Sequence, residues 1–578
     1  MELIYAWIGK FRNIEHQNFN FSNQYNIDYN EIANEITATA IDGGDALKNE
    51  NGVLTFIEDD QHYLKNFFHT KISNISALIG KNSSGKSNVI DFILTAISKG
   101  NRGKLASNYI LVFKKDNQPF FFGKTKNNSL ENSSLSSLGV EMGKINPDDE
   151  WESMFYTNVA DNKDYIFEDS SVHDFSFKAL NKLQSNKIKF VSSSLFNRTW
   201  AKLNPDNQDS KKVRFIFNPI AYTTLENDNP TNEKMLGILK RYRRAIYQAS
   251  TSNYNRFRYG IAINLLCFLF TNNSNDVSSL LDDIEIVGTE GLAEAIASLN
   301  PKVSKFLIEF SDYTNLEELT EIDLKLYQKL LAEIDPNNGY NFGEVEKHIN
   351  SIIVDFNEDF KRVIHDKTEI FNTQSLISHD WSQLSSGMKA YLNLFSQLFY
   401  LADKPVDQAK NLLICIDEGD LYLHPEWQKN FLNDLIDFVT NIFDTGKIQI
   451  ILTSHSPFLI SDLPKENVLL LNESGEPNRQ LIGESSFGAN IHQLFANQFF
   501  LSKGSIGQFA KTKIQTLLKE IPNMIDENVD QYRKKIEMIG EPILRYRLDE
   551  VFRKRINELS KVKQIEWHQQ QIEKLQQI

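Results

Sequence analysis

A glycine-rich loop that ends in lysine and serine is the part of this chain best suited to chemistry. Residues 80–87 read GKNSSGKS, which satisfies the pattern G-x-x-x-x-G-K-[ST]. The loop follows the apolar run Ile75–Ile79, a predicted strand, and precedes Asn88–Ile97, a predicted helix. Backbone N–H groups of such a loop converge on phosphate oxygens, and the helix N-terminus adds positive potential. In this context the pattern favours a nucleoside triphosphate site over an ordinary turn.

Two side chains of this loop have distinct predicted roles. Lys86 supplies a positive charge for the β- and γ-phosphates, and Ser87 supplies a hydroxyl ligand for Mg²⁺. The residues predicted to bind the phosphates are Gly80, Lys81, Asn82, Ser83, Ser84, Gly85, Lys86 and Ser87.

Two later segments place polar residues beside predicted elements. Residues 381–388 read WSQLSSGM and precede the helical run Ala390–Leu401, a pattern that alone is typical of a helix N-cap. The apolar strand Leu412–Ile416 runs into Asp417 and Glu418. An aspartate at a strand end can hold magnesium, and a neighbouring glutamate can orient an attacking water. Alone, such a pair is as often structural as functional.

A histidine follows the next predicted strand. The run Ile448–Leu452 is apolar except for Gln449 and leads into TSHSP at 453–457, which contains His455. By itself such a histidine is more often a loop residue than a catalytic one. The four segments follow one another in a fixed order: the phosphate loop, L-S-S-G, a strand ending in Asp-Glu, and a strand ending in Ser-His. This order favours a catalytic role for His455 over a role as a loop residue.

This motif order resembles that of the ABC-type ATPases, specifically the branch that includes SMC proteins, RecF and the OLD-like ATPases. GKFRNI at 9–14 is similar to the strand-turn with which that branch begins, and DEGDLYLHP at 417–425 is similar to its D-E-P-E-L-H-L-H-P form. The resemblance implies an α/β fold, an ABC-type P-loop ATPase head assembled from both ends of the chain. It also implies ATP and Mg²⁺ as cofactors.

The resemblance further implies a role for each residue near the phosphates. Ser87 and Asp417 hold the magnesium ion. Glu418 orients or deprotonates the hydrolytic water, and His455 contacts the γ-phosphate. Lys86, Glu418 and His455 are therefore the predicted catalytic residues.

A second subunit completes the implied site. In the family, the residues that match Ser385, Ser386 and Gly387 in one subunit close over the γ-phosphate bound by the other. This implies a nucleotide-sandwiched homodimer, or a higher-order assembly of such dimers. Ser386 stands where the family has Gly, Met388 replaces Gln, and Gly419 replaces a common Pro. These departures lead to the hypothesis that hydrolysis is slow or gated by a partner.

The spacing of apolar residues predicts four regions. Residues 1–230 and 376–484 form the ATPase head, 231–375 form a helical insertion, and 485–578 form a helical extension for partner docking. Within them we predict strands at Tyr109–Phe113, Pro119–Phe122 and Ile188–Val191, and helices that include Gly343–Phe356. Asn127–Ser137 is predicted to be a linker, and the family's glutamine loop is expected in the Lys189–Asn197 region.

Composition bounds the class of protein. The chain has 578 residues, 41% of them hydrophobic and 24% charged, as in a globular protein with several structural units. Both cysteines, Cys267 and Cys415, lie in apolar runs, so we expect a reducing cytoplasm rather than disulfides or a cysteine zinc site. The longest apolar run, Ile261–Phe270, is too short to span a bilayer, and the first residues do not resemble a signal peptide.

The chain lacks a recognisable nuclease site. OLD-family nucleases carry a glutamate and a D-x-D for two metals after the ATPase, and no such pattern follows His455. A second resemblance, carried by residues 2–22, 485–510 and 536–548, is to the ATPase subunits of bacterial antiphage systems. Among these, the PtuA-type ATPases of Septu and retron systems act with an HNH nuclease. This implies a regulatory or sensor ATPase whose nuclease partner is encoded nearby.

Two rival functions and one ambiguous feature stay open. The chain is alternatively a DNA repair or recombination ATPase that binds DNA directly, or a nucleotide-locked scaffold without turnover. The net charge of −14 argues against a broadly nucleic-acid-binding surface. The basic groups at Lys240–Arg244 and at Arg553–Arg555 with Lys561 and Lys563 are either solvated helix faces or contacts to DNA or retron RNA/DNA.

Overall fold

The computed structural model describes the chain in segments. They form two compact units, Met1–Leu494 and Phe495–Ile578, each of which is treated by itself. The described residues are 1–41, 45–50, 53–57, 66–124, 150–159, 167, 172–176, 184–196, 211–217, 234, 237, 351–356, 377–381, 384–403, 410–444, 446–472, 475–477, 485–496, 506–559 and 561–576.

A parallel sheet forms the centre of the first unit. Its six strands run in the order β11-β10-β15-β16-β7-β17, and every pairing is parallel. The strands are β7 (Ile72–Gly80), β10 (Trp151–Thr157), β11 (Val172–Phe175), β15 (Asn411–Asp417), β16 (Ile448–Ser454) and β17 (Val468–Leu471). Their near-continuous apolar runs suit strands that are covered on both faces. Since β7 lies between β16 and β17, the predicted α/β head built from both ends of the chain is confirmed.

Helices flank this sheet. They are α1 (Lys86–Ile97), α2 (Gln184–Ser192), α3 (Ser386–Asp403), α4 (Pro425–Ile442) and α5 (Pro457–Ser461). A further short helix, α6 (Ile491–Ala496), contains the residue at which the first unit ends. Helix α1 is buried along most of its length because it shares one hydrophobic core with two sheets. In that core Phe92 and Leu94 of α1 lie with Ile451 of the parallel sheet and with Leu3 of the N-terminal strand.

An antiparallel sheet lies at the N-terminus, with strand order β2-β1-β8-β9. Its strands are β1 (Glu2–Phe11), β2 (Ile14–Asn20), β8 (Tyr109–Lys115) and β9 (Gln118–Lys124), and two hairpins accompany it, β3 (Tyr25–Asn30) with β4 (Glu35–Ala40) and β5 (Leu47–Glu50) with β6 (Val53–Phe56). The predicted strands at 109–113 and 119–122 are therefore confirmed, whereas β3 to β5, β10 and β11 were not predicted.

Gln449 joins the two sheets. Its fully buried side chain accepts a hydrogen bond from Leu3 N at 2.8 Å and donates one to Leu3 O at 2.7 Å. The amide thereby pairs with β1 as a strand backbone would, next to a register shift between Leu3 and Tyr5. The single polar residue in the apolar run of β16 has a structural role.

A third sheet corrects one sequence prediction. The strands β12 (Lys211–Phe217), β13 (Ser351–Phe356) and β14 (Ile377–Asp380) form an antiparallel sheet with β12 in the middle. The helix predicted over Gly343–Phe356 is wrong for its second part, because residues 351–356 pair with β12. Long-range pairing overrides local apolar spacing there.

A second correction concerns Ile188–Val191, which lies in helix α2 rather than in a strand. Phe190 packs its ring against Phe399 of α3 and Phe438 of α4, and Asn186 donates to Gln397 Oε1 at 2.7 Å. Short apolar runs do not distinguish a buried helix from a strand by periodicity alone.

Other predictions concern the cysteines, the linker and the insertion. Cys415 is buried in β15, and burial raises the pKa of its thiol well above the usual range. Cys267, the linker at 127–137 and the other predicted helices of the 231–375 insertion lie outside the described residues. Within the part that is described, no helix combines the length and apolar character that crossing a bilayer requires.

The second unit is helical. Its helices are α7 (Gln508–Glu520), α8 (Val529–Glu537), α9 (Pro542–Ile556) and α10 (Lys561–Gln576). They enclose a small core of their own, formed by Leu517, Ile521, Met524, Val529, Ile536, Leu548, Phe552 and Ile556. The predicted helical C-terminal extension is confirmed, with the compact unit beginning at Phe495.

Candidate functional site

The phosphate loop connects β7 to α1 through two left-handed residues. Ser83 has φ +67° and Gly85 has φ +91°. Gly85 also lies against Asn13, whose side-chain oxygen would be 3.1 Å from a Cβ at this position. Conformation and space both favour glycine there. The loop thus turns sharply just before the first helical residue, Lys86.

Lys86 lies beneath this loop and is 5% exposed. Its Nζ donates hydrogen bonds to the carbonyls of Gly80 and Lys81, each at 3.1 Å. Burial lowers the pKa of Lys86, whereas the nearby carboxylates of Glu418 and Asp417 raise it. The loop carbonyls and the two carboxylates hold the ammonium group at the phosphate-binding end of α1.

The N-terminal turn supports the loop from the other side. Asn13 Nδ2 donates to the carbonyl of Ser83 at 3.1 Å, and Asn88 Nδ2 donates to Asn13 Oδ1 at 2.6 Å. Arg12 Nη1 lies 2.7 Å from Oδ2 of Asp91, whose side chain is fully buried. Sequence reasoning assigned no role to Arg12 or Asn13, although the GKFRNI run that contains them was the available signal.

The ends of neighbouring strands bring the predicted metal ligands together. Ser87 Oγ donates to Asp417 Oδ1 at 2.8 Å, and Thr453 Oγ1 donates to the same oxygen at 2.6 Å. The Thr453 hydroxyl oxygen also accepts a hydrogen bond from the backbone N–H of Glu418, with an N–O distance of 2.9 Å. These contacts follow from the parallel register, in which Asp417 lies beside Thr453.

Glu418 and His455 face each other across the same strand ends. His455 Nε2 lies 3.4 Å from Glu418 Oε1, and both side chains are partly exposed. The His455 hydrogen bond lowers the pKa of Glu418, burial opposes that shift, and the charges of His455 and Lys86 add to it. Gly419 follows, and a Cβ there would collide with Ile416 Cγ2. A proline at this position, which the family commonly has, would meet the same obstacle.

A further polar residue at this edge was not predicted. Asn158 follows β10, whose last residue Thr157 is in register with Asp417. It is 7% exposed, and its Oδ1 accepts from the Tyr156 hydroxyl at 2.5 Å. Its Nδ2 has no hydrogen-bond partner among the described residues. The region favoured for a glutamine loop, Lys189–Asn197, instead includes the end of α2, which packs on α3.

The predicted cap residues start helix α3. Ser385 Oγ accepts from Met388 N at 3.2 Å, so Ser385 caps the helix. Ser385 and Ser386 are exposed, and Gly387 is buried beside Tyr422 O and the Trp427 ring.

The residues present fit a magnesium nucleotide. Gly85 is left-handed and has no Cβ that would obstruct a phosphate at the loop. Ser87 and Asp417 offer the hard oxygen ligands that Mg²⁺ prefers. The described part of the chain holds no group of three or more His, Cys, Asp or Glu side chains placed to bind a metal. A cation at Ser87 and Asp417 therefore needs further oxygens, which the phosphates of a nucleotide carry.

A known family model matches residues 75–461, more than half of the chain. The chain belongs to the AAA_21 family. The family is described as “AAA domain, putative AbiEii toxin, Type IV TA system”. The AAA_21 match begins in β7 and ends at Ser461, the last residue of α5, so it includes the phosphate loop, the α3 cap, Glu418 and His455. The AAA_21 match also agrees with the parallel sheet of this chain, which is typical of a P-loop ATPase.

Three relatives of this AAA_21 protein are informative. “Retron Vc95 probable ATPase” of Vibrio cholerae serotype O1 biovar El Tor is 21% identical over 501 residues, which are 83% of this chain and 84% of that protein. “Retron Ec83 probable ATPase” of Escherichia coli is 23% identical, over 76% of this chain and 73% of that protein. “Septu protein PtuA” of Bacillus mycoides (strain KBAB4) is 24% identical, over 56% and 44% respectively.

Proposed function

We propose that this chain is the ATP-binding and hydrolysing regulatory subunit of a bacterial antiphage defence complex in the cytoplasm, and that a separate HNH-type nuclease subunit cuts the nucleic acid. The observation that supports this most is the convergence of Lys86, Ser87, Asp417, Glu418 and His455 at one sheet edge. The names of the retron and Septu relatives support the defence context.

Each residue of the edge has a proposed part in ATP hydrolysis. The phosphate loop and Lys86 bind the β- and γ-phosphates, and Ser87 with Asp417 holds Mg²⁺, which neutralises phosphate charge when bound. The His455 hydrogen bond and the charge of Lys86 lower the pKa of Glu418, which favours its ionised form, and we assign that carboxylate to orient a water. We assign His455, which lies 3.4 Å from that carboxylate, to contact the γ-phosphate.

The site is proposed to be completed by a second copy. The exposed Ser385 and Ser386 at the start of α3 offer backbone N–H groups to an anion. From the resemblance to ABC-type ATPases, we assign this cap to the loop of the other subunit. Hydrolysis then depends on assembly, which makes the ATPase a natural regulator of a nuclease partner.

Mixed dimers test the shared site. A Lys86→Ala chain and a Ser385→Arg chain are each expected to lose more than about 90% of ATPase activity. When the two are mixed, one of the two composite sites regains an intact loop and an intact cap, so activity is expected to return. Two separate intrachain sites would show no recovery, and that result would reject the split site.

The partner is tested by purification. The chain is expressed with its genomic neighbours, and the complex is weighed by native mass spectrometry with and without ATP. Recovery of an HNH protein with two or more copies of the chain supports the defence function. If the chain is purified without a nuclease and binds DNA tightly in an ATP-dependent way, the DNA repair alternative is supported.

One observation favours nucleic-acid contact in either function. Residues 495–578 contain 15 Lys and Arg against 11 Asp and Glu, a formal charge of +4 in a chain of −14. On α9 the side chains of Arg545, Arg547, Arg553 and Lys554 are exposed. Replacing these four with Ala and measuring DNA affinity at several salt concentrations tests this contact, since loss of phosphate contacts reduces the salt dependence.

A further inference from the structure

A buried aspartate beside the candidate site has no part in the roles above. Asp420 follows β15, and its side chain is 7% exposed. Ser454 Oγ donates a hydrogen bond to Asp420 Oδ2 at 2.5 Å. Ser454 is the last residue of β16 and immediately precedes His455. The contact therefore ties the turn after Glu418 to the residue next to the histidine.

The Ser454 hydroxyl lies in the middle of a short hydrogen-bond chain. Its oxygen accepts from the backbone N–H of Ser456 at 2.8 Å, while its own proton is directed to Asp420. Ser456 Oγ donates to Gln428 Oε1 at 3.0 Å. It also accepts from Phe458 N, so that Ser456 caps α5. The residues on both sides of His455 are thus held by side-chain hydrogen bonds that strengthen one another.

The same two segments meet again at the catalytic pair. His455 Nε2 and Glu418 Oε1 are 3.4 Å apart, and Glu418 N is bonded to Thr453. Asp420 and Ser454 form a buried contact next in sequence to that partly exposed pair. A carboxylate acceptor makes this tie shorter and stronger than a neutral one.

We propose that Asp420 is a positioning residue for His455, acting through Ser454 to hold the imidazole beside Glu418 at the phosphate-binding edge. The inference rests on the proposed ATPase function. Ser454 ends a strand whose backbone is paired with β7, and its side chain is the further anchor next to His455. Without that side-chain anchor, the imidazole no longer occupies one position relative to the γ-phosphate. A misplacement of about 1 Å is enough to lower a rate by about 100-fold.

The test compares variants of the full-length chain. Asp420→Ala removes the acceptor, whereas Asp420→Asn keeps an acceptor oxygen for the Ser454 hydroxyl. Steady-state kinetics give kcat and KM, and calorimetry gives the affinity for MgADP and for a non-hydrolysable ATP analogue with Mg²⁺. Asp420→Ala is expected to lower kcat by about 10- to 100-fold and to reduce the preference for the ATP analogue over ADP. The affinity for ADP stays within about twofold, and Asp420→Asn restores most of kcat.

Double variants decide whether the effect passes through Ser454 and His455. Ser454→Ala is expected to reproduce the loss, and Asp420→Ala with Ser454→Ala is expected to be no worse than either alone. In a His455→Ala background, Asp420→Ala is expected to cause no further change in nucleotide preference. An equal additional loss in that background would overturn the inference, as would wild-type kcat and preference in Asp420→Ala.

A matched control separates positioning from stability. Asp434 is another buried carboxylate, on α4, and Asp434→Ala is expected to lower thermal stability while leaving kcat unchanged. If Asp434→Ala lowers kcat as much as Asp420→Ala does, loss of a buried carboxylate explains both and the inference fails. A wild-type chain that neither binds nor hydrolyses ATP would instead reject the proposed function.

Discussion

The Ser87 hydroxyl donates to Asp417 Oδ1 at 2.8 Å, although the two residues are 330 positions apart. The parallel register explains the contact, because Asp417 lies beside Thr453 of β16 and Thr453 lies beside Leu78 of β7. The carboxyl ends of three strands therefore meet where the phosphate loop begins. A hydroxyl and a carboxylate in contact there form the start of a magnesium site.

The first prediction concerns magnesium. Ser87→Ala and Asp417→Asn are each expected to weaken the Mg²⁺-dependent part of ATP affinity by at least about 10-fold, since each removes one oxygen ligand or its charge. Calorimetry with Mg²⁺ and with EDTA measures this part directly. Ser73→Ala, at the other end of β7, is the matched control, because the Ser73 hydroxyl donates to the carbonyl of Ile448 and lies far along the strand from the phosphate loop. Full Mg²⁺ dependence in both site variants would contradict the assignment.

The second prediction concerns the buried charge of Lys86. Lys86→Met is expected to abolish ATP binding, yet the free energy of unfolding of the nucleotide-free chain is expected to rise, because the cost of burying the ammonium exceeds the attraction of Glu418 and Asp417. Urea unfolding measures this change. Lys99→Met, at an exposed site just beyond α1, is expected to change neither quantity.

The pH dependence of that gain follows from the sign of the shift. The folded-state pKa of Lys86 is lowered, so between that pKa and the unfolded value of 10.5 the unfolded chain binds more protons. Stability of the wild-type chain therefore rises with pH in that window. The advantage of Lys86→Met is expected to be largest near neutral pH and to shrink toward pH 10.5. An advantage that grows with pH would show that burial of the charge is not its cause.

The third prediction concerns Glu418. Glu418→Gln is expected to lower kcat by about 10²- to 10⁴-fold while ATP binding is retained, because the amide no longer accepts a proton. Rapid-quench kinetics with direct measurement of bound ATP separates the two effects. Glu426→Gln, an exposed position at the start of α4, serves as the control. Unchanged turnover in Glu418→Gln would revive the scaffold hypothesis.

The same variant has a pH signature in stability. The folded-state pKa of Glu418 is lowered by His455, so its contribution is present above the unfolded value of 4.5 and is lost as pH falls through the folded value. Acid unfolding curves are expected to be shallower for Glu418→Gln than for the wild type below pH 4.5. Identical curves would mean that the contact with His455 contributes nothing in solution.

The fourth prediction concerns Gln449. Gln449→Leu leaves the N–H and C=O of Leu3 buried without their partner, so the free energy of unfolding is expected to fall by about 2–4 kcal/mol. The shift of the urea midpoint measures it. Gln515→Leu, at an exposed position of α7, is the matched control and is expected to have a small effect. An unchanged midpoint in Gln449→Leu would mean that the two sheets do not depend on this amide.

Local patterns were enough for the elements that carry the motifs. The strands β7, β15 and β16 and the helices α1 and α3 were all predicted, because each combines a continuous apolar run with a polar loop or cap. Isolated short runs gave poorer results. Ile188–Val191 lies in a helix and residues 351–356 in a strand, since tertiary packing chose between two conformations that the same residues allow.

The roles of the supporting residues were not predicted from sequence. Asn13 and Asp420 lie in segments that resemble the family and Asn158 lies in none, but each acts through a partner or a neighbouring strand far along the chain. A hydrogen bond has no sequence signature when its two groups are brought together only by strand order. The role of Gln449 was hidden for the same reason.

From sequence alone, the order of the segments determined that this chain has a phosphate loop, an Asp-Glu strand end and a Ser-His strand end. Those features depend on short stretches whose chemistry is local. The tertiary structure decided which of them share an edge, because parallel pairing places strand ends side by side whatever their separation along the chain. It also decided what covers the start of α3, where Gly387 lies against the Tyr422 carbonyl and the Trp427 ring.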